Sequence, residues 1–400
     1  MDIIYLSGYD FRGFVWFRPQ HLVTRLARRH RVLYVEPTRA RKWRRPWRWG
    51  RLRREGDALL LLEPPVLPGL RWSRAIRALN EALLSRRIKA VQRRLGFDDP
   101  VVIVGTPFAA EVARTLGGRL LVYDCNDDWA SIPKLPSRYL RRQEERFVKR
   151  ADLVFATSRR LLERLARLNE RTRLLPSGVD VDHFAADGAS KDVPDELRRM
   201  NRPIIGSIGS INATKDDLDL IEAVAARRPE WSFVFVGPVM GDVDLKNYPA
   251  LRGRARFLGP RPYEALPAYV RAMDVCLLAY RRNAFTAAAN PTKVFEYLSA
   301  GKPVVATPLE DLIGLDPLVA LARDTDEFVA AIEAALDEGD NGTMRRTRLE
   351  RSRERSWDAV VHAFEAQIER CLSEGALDHT ALRRPGRMPR PPNSHVLKTV

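Results

Sequence analysis

Short apolar runs alternate with longer amphipathic stretches along almost the whole chain. In the first half, "IIYLSG", "RVLYVEP", "VVIVGTP", "RLLVYDC" and "LVFATS" read as strands, with helices fitting over residues 20–29, 72–95, 138–150 and 159–168. The second half repeats the arrangement with "PIIGSIG", "SFVFVG", "ARFLG", "VCLLAY" and "PVVAT", separated by helices near 218–228, 263–272 and 291–300. Strands that are apolar throughout suit a sheet covered on both faces. Their alternation with helices predicts parallel sheets of the α/β class. Two such blocks predict two doubly wound, Rossmann-like domains, residues 1–176 and 177–355. The boundary falls in "LLPSGVDVDHFAADGASKDVPDEL", rich in Gly, Asp, Ser and Pro. An amphipathic helix is predicted within 356–374, and residues 375–400 read as a disordered Pro/Arg-rich tail.

In open α/β sheets, ligands gather beyond the carboxyl ends of the strands. The stretch "ANPTKVFEYLSAGKPVVAT" predicts a helix followed by a buried strand. Asn290 is expected to cap that helix, Pro291 to open it and Gly301 to follow its end. Lys293 and Glu296 then lie one turn apart on a shared side. A lysine at the positive end of the helix dipole either points to water or shares an anion with the helix terminus.

Composition narrows the classes further. Cys125, Cys276 and Cys371 show no C-x-x-C spacing, which argues against a disulfide framework or a zinc site. No leader or membrane-spanning run is read, so the protein is expected in the cytoplasm. The net charge of +17 is uneven: residues 1–175 hold 38 Lys and Arg against 18 Asp and Glu, a net +20, leaving −3 for the rest. Arg41–Arg54, "RKWRRPWRWGRLRR", concentrates eight basic residues with three tryptophans. That composition suits an anionic membrane surface, and also nucleic acid, though the confinement of charge to one half makes nucleic acid the poorer fit.

"NPTKVFEYLSAGKPVVAT" resembles the sugar-nucleotide signature of family-4 glycosyltransferases of the GT-B fold. "LLPSGVDVDHF" resembles their interdomain segment, and "IGSINATKDDLDLIEAVAARRPEWSFVFVGP" the opening of their donor domain. The resemblance implies two domains facing a cleft and transfer of a sugar from a nucleotide-sugar, UDP- or GDP-linked, to an acceptor hydroxyl. It further implies return of the 356–374 helix to the first domain, retention of configuration, no metal ion and no separate cofactor. The acceptor expected is a lipid-linked or cell-surface glycan precursor at the inner membrane face. Glu296 matches the residue that holds the donor ribose, while the acidic partner eight positions earlier is replaced by Ala288. Lys293 and Lys215 match phosphate-binding positions, with Ser210 where an arginine is usual, and Gly259–Arg261 match the loop beside the base.

In the first half, "SGYDFRGFVWFRPQHL" resembles a loop beside donor phosphate and acceptor. There Gly8 and Gly13 permit close approach, Arg12 and Arg18 could meet phosphate, and His21 is expected to pack within its helix. "YDCNDDWASIP" offers Asp124, Asp127 and Asp128, of which Asp127 or Asp128 could orient or deprotonate an acceptor hydroxyl, or simply cap the next segment. A sugar-nucleotide 2-epimerase of the same architecture and a basic nucleic-acid-binding protein remain as other readings.

Overall fold

The structure is a computed structural model that describes residues 1–13, 15–39, 50–69, 73–185, 193–241, 243–339 and 341–374. Most of the Arg41–Arg54 stretch and the whole Pro/Arg-rich tail lie outside the described residues. The first half forms an eight-stranded sheet: β1 (Asp2–Leu6), β2 (Arg31–Val35), β3 (Leu52–Arg54), β4 (Leu59–Leu62), β5 (Val101–Val104), β6 (Leu120–Cys125), β7 (Leu153–Ala156) and β8 (Thr172–Leu174). Its order is β3-β4-β2-β1-β5-β6-β7-β8, parallel throughout except for the β3–β4 pair. The second half forms a parallel six-stranded sheet of β9 (Ile204–Ile208), β10 (Ser232–Val236), β11 (Ala255–Gly259), β12 (Val275–Leu278), β13 (Val304–Ala306) and β14 (Val319–Leu321), ordered β11-β10-β9-β12-β13-β14. Both sheets are doubly wound, with order reversing beside β1 in one and β9 in the other. The α/β class and the pair of Rossmann-like sheets are therefore as the apolar pattern predicts.

Successive residues of a strand serve opposite faces, and the packing follows that period. Ile4 and Leu6 join one core of the first sheet, while Ile3 and Tyr5 join the other. The helix Trp357–Ser373 supplies Val361, Phe364, Ile368 and Cys371 to that second core, although it follows the second sheet in sequence. Phe364 stacks on Phe155 of β7 with centroids 4.5 Å apart. Trp357 N–H donates to the Val179 carbonyl at 3.0 Å, and Val179 N–H donates to the Arg355 carbonyl at 2.8 Å. Gly178 makes this crossing possible, since a Cβ there would lie 2.8 Å from Trp357 Cα.

The helix therefore straps the second half onto the first. Phe364→Ala is expected to cost about 3–5 kcal/mol, as for a fully buried aromatic, and to lower the denaturation midpoint. His362→Ala, on the exposed side of the same helix, is expected to stay within about 0.5 kcal/mol.

Candidate functional site

The helix Thr292–Ser299 is fixed from beneath by Val294, Phe295 and Leu298, all buried. Tyr297 anchors it to β9, its hydroxyl accepting the Ile208 N–H at 2.9 Å. Gly301, at φ +71°, ends it as predicted, with its N–H on the Leu298 carbonyl. The amino terminus differs from expectation. Pro291 stands at the capping position with no side-chain cap. Asn290 is instead drawn to the seam between the halves, where Oδ1 accepts the Ser177 N–H at 3.0 Å and Nδ2 donates to Asp311 at 3.1 Å. Thr292 and Lys293, whose N–H groups begin the helix uncapped, thus line a cleft of about 330 Å³ between the two sheets.

Lys293 rises from that first turn. Its ammonium donates to Ser207 Oγ at 3.4 Å and lies 5.7 Å from the Tyr280 ring centroid. Lys215, after β9, reaches the same ring at 5.3 Å and donates to the Ser210 carbonyl at 2.8 Å. Gly209 and Gly237, just after β9 and β10, pack so closely that a Cβ on Gly237 would lie 2.1 Å from the Gly209 carbonyl oxygen. This close approach shapes the pocket below the two lysines.

Burial pushes the Lys293 ammonium down to about 7, helped by Lys215 and opposed by Asp216 and Glu296. Burial likewise pushes the Glu296 carboxyl up to about 7, with Lys293 opposing. Among the described residues nothing hydrogen-bonds the Glu296 carboxylate, and it forms no ion pair within 4 Å. Glu296 and both lysines line the cleft. They make a site with two cations at an uncapped helix end and an acceptor group one turn deeper, which suits a ligand carrying a diphosphate and a diol.

The opposite wall belongs to the first half. Asp127 follows β6 and accepts the Tyr9 hydroxyl at 2.5 Å. Burial pushes its carboxyl up to about 6, while Tyr9 and Lys215 pull it down and Asp128 adds to the rise. Arg18 is 4% exposed, with Nε on Asp124 at 2.9 Å, and its Nη2 is buried without a hydrogen-bond partner. Aromatic rings close the cleft floor: Trp16 stacks on Tyr263 across the halves at 5.9 Å, and His21 stacks on Trp357 at 4.9 Å. Burial, with Arg25 and His183, pushes His21 down to about 3, so it packs as a neutral ring.

The cleft therefore gathers Arg18, Asp127, Lys215, Arg261, Lys293 and Glu296, six of the side chains singled out from the sequence for contact with donor or acceptor. Arg261 is steadied by Tyr269, Leu258 and Glu196, and Pro260 rather than Gly259 lines the surface beside it. The remaining candidates lie elsewhere. Asp128 turns back to Ser131 and Arg141, at 2.7 and 3.1 Å, because two basic side chains surround it on that side. Arg12 pairs with Glu55 at 2.8 Å on the exposed rim. Gly8 lines a different cavity, and Asp124 is consumed by Arg18 and Tyr5. Ala288 is 2% exposed, its carbonyl accepting Ser158 Oγ at 2.9 Å across the seam.

Sequence reasoning missed Tyr9, Asn126, Asn212 and Tyr280, which also line the cleft. Each lies just after a strand, so the rule that found the others applied equally to them. Among the described residues no group of three or more His, Cys, Asp and Glu side chains is gathered as a metal-ligand set.

Two facing, doubly wound sheets with an anion-suited helix terminus in the cleft define the GT-B architecture. Family models agree with that class: Glycosyltransferase Family 4 matches residues 20–183, and Glycosyl transferases group 1 matches residues 202–338. The chain belongs to the family-4-like glycosyltransferases of the GT-B fold. It is 27% identical over 259 residues to a Bacillus subtilis (strain 168) protein whose name describes a teichuronic acid biosynthesis glycosyltransferase, TuaH, covering 60% of this chain and 64% of that one. It is 28% identical over 272 residues to D-inositol 3-phosphate glycosyltransferase of Geodermatophilus obscurus, covering 60% and 58%. The chain thus spans under two thirds of the length of either curated relative. Among solved structures, sucrose-phosphate synthase from Thermosynechococcus elongatus shares the fold at a TM-score of 0.72 and 17% identity, over 94% of this chain and 100% of that one. Anabaena HepE in complex with UDP and glucose shares it at 0.64 and 17%, over 94% and 100%.

The raised Glu296 carboxyl has a measurable cost. Between its ordinary 4.5 and about 7 the unfolded carboxyl ionises before the folded one, so stability is lost as pH rises across that window. Glu296→Gln is expected to raise the thermal midpoint of the unliganded protein at pH 8 and leave it nearly unchanged at pH 4.

Proposed function

We propose that the protein is a glycosyltransferase that takes a sugar from a UDP-linked donor and places it on an acceptor hydroxyl held by the first half. The observation carrying this reading is the convergence of Lys293 and Lys215 above Tyr280, beside the bare helix terminus, with Glu296 one turn deeper. The diphosphate would meet the first-turn N–H groups and both ammonium groups. Glu296 would accept hydrogen bonds from the ribose hydroxyls, and the loop of Pro260 and Arg261 would lie along the base. As the bond to the anomeric carbon breaks, negative charge grows on the departing diphosphate. Cations already fixed there stabilise that charge more than they stabilise the bound donor. Asp127, on the facing wall with its carboxyl near 6, would orient the acceptor hydroxyl or take its proton.

Retention of configuration and independence from metal belong to this reading through the family resemblance. The UDP named in the HepE structure supports the choice of base, and the TuaH name supports a cell-envelope polysaccharide as product. We further place the first half against an anionic membrane surface through Arg41–Arg54, where each basic residue contributes about 1 kcal/mol. No helix among the described residues is long and apolar enough to cross a membrane.

Thermal unfolding with UDP, GDP, ADP and dTDP tests the donor. At about 100 times its dissociation constant a ligand adds roughly 2.7 kcal/mol, a shift of several degrees. UDP alone is expected to give that shift in the wild type, with none in Glu296→Ala. The shift should shrink as pH rises above about 7, because Lys293 then loses its proton. No shift with any nucleotide would end the reading, and turnover of a UDP-sugar without acceptor would point to epimerisation.

Replacing Trp43, Trp47 and Trp49 with Ser is expected to reduce co-sedimentation with vesicles of anionic phospholipid. Unchanged co-sedimentation would remove the membrane from the proposal.

A further inference from the structure

A second cavity, of about 810 Å³, lies wholly in the first half. It sits beyond the carboxyl ends of β1, β2 and β5, where the sheet order reverses and ligands of α/β sheets gather. Leu84, Val112 and Leu135 make its walls apolar, and Phe108, Trp129 and Tyr139 present aromatic rings. Gly8 lets this wall close, since a Cβ there would lie 2.4 Å from Trp129 Cη2 and 3.2 Å from Thr106 Cβ.

Two polar atoms in the lining are unexplained by the fold. Thr106 is 2% exposed and Trp129 8%, yet Thr106 Oγ1 and Trp129 Nε1 are buried without a hydrogen-bond partner. Most such groups in folded proteins are paired. A hydroxyl-bearing ligand would pair both, since indole N–H only donates and a threonine hydroxyl can do either. An apolar, aromatic cavity with a few fixed polar groups is the ordinary form of a small-molecule site.

The charge at its edge is mixed but accounted for. Arg39 pairs with Asp10, and Glu36 accepts the Phe11 N–H. Glu81 also faces the cavity, its carboxyl pushed up by burial, with Glu111 adding and Arg77 opposing. Arg77 lies over Tyr139 at 4.3 Å. Neither Arg77 nor the exposed Lys134 forms an ion pair within 4 Å among the described residues. Lys134 also holds φ +67°, a conformation that costs a non-glycine residue. The two cations stand in a half whose net charge is strongly positive, a field that concentrates anions. Tyr9 lines the nucleotide cleft and Trp129 lines this cavity, their ring centroids 5.6 Å apart, so the two spaces are neighbours beside the Asp127 that Tyr9 holds.

We propose that this cavity is the acceptor site and takes an anionic saccharide. A sugar ring lies against Trp129, its hydroxyls pair with Thr106 and Trp129, and a carboxylate or phosphate substituent meets Arg77 and Lys134. The inference deepens the glycosyltransferase reading and rests on it for the word acceptor.

Calorimetric titrations with cellobiose, cellobiouronic acid and cellobiose 6-phosphate test it, with the UDP thermal shift read on the same preparations. One anionic disaccharide is expected to bind at least about tenfold tighter than cellobiose, as a charge-assisted contact allows; which one wins tells carboxylate from phosphate. Arg77→Ala with Lys134→Ala should erase that advantage and spare the UDP shift, and Thr106→Val should weaken all three sugars alike. Equal binding of neutral and anionic sugars would overturn the anionic assignment. No binding of any sugar, with the UDP shift intact, would overturn the cavity as a saccharide site and leave the donor reading standing. Loss of the UDP shift in wild type with the sugar preference intact would support the cavity and sink the donor reading.

Discussion

Hydrogen bonds and ion pairs along the seam hold the carboxyl ends of two sheets face to face. Ser158 donates to the Ala288 carbonyl, Ser177 to Asn290, and Val179 exchanges two bonds with the chain around Trp357. Arg25 adds Asp180 at 3.0 Å. Without this registry Asp127 and Lys215 would stand on separate surfaces with no electrostatic influence on one another. The displaced pKa values of Asp127, Lys293 and Glu296 all have burial as their largest cause. Burial around the cleft is thus what makes their chemistry unusual.

The sheets were legible because their strands are apolar on both faces. "VVIVGTP" and "LVFATS" could be little else, and each lies buried as β5 and β7. The strands that escaped notice were short or at an edge: β3, β8 and β14 have three residues each, too few for a period to show. Buried β4, "LLLL", was hidden by the basic stretch before it. Site residues were legible where a motif fixed both type and position, as for Lys293 and Glu296. Spacing failed where a neighbour competed for the side chain. Nothing in "CNDDW" says that Arg141 will claim Asp128 and leave Asp127 to the cleft.

Two ammonium groups over one tyrosine ring repel each other in a place with little water. The protein tolerates this because Asp216 sits 3.7 Å from Lys215 and Tyr280 offers both cations the face of its ring. Such an arrangement is costly while unoccupied and favourable once an anion enters. Stability and affinity are set against each other at that point.

Asn290 shows how one side chain can bind two decisions together. Its amide is spent on Ser177 and Asp311, so the helix behind it goes without a lid. Were the amide to turn back and close the helix, it would have to release the linker. A grip on the linker and a cap on the helix are consequently rival uses of one carboxamide, and the molecule takes the first.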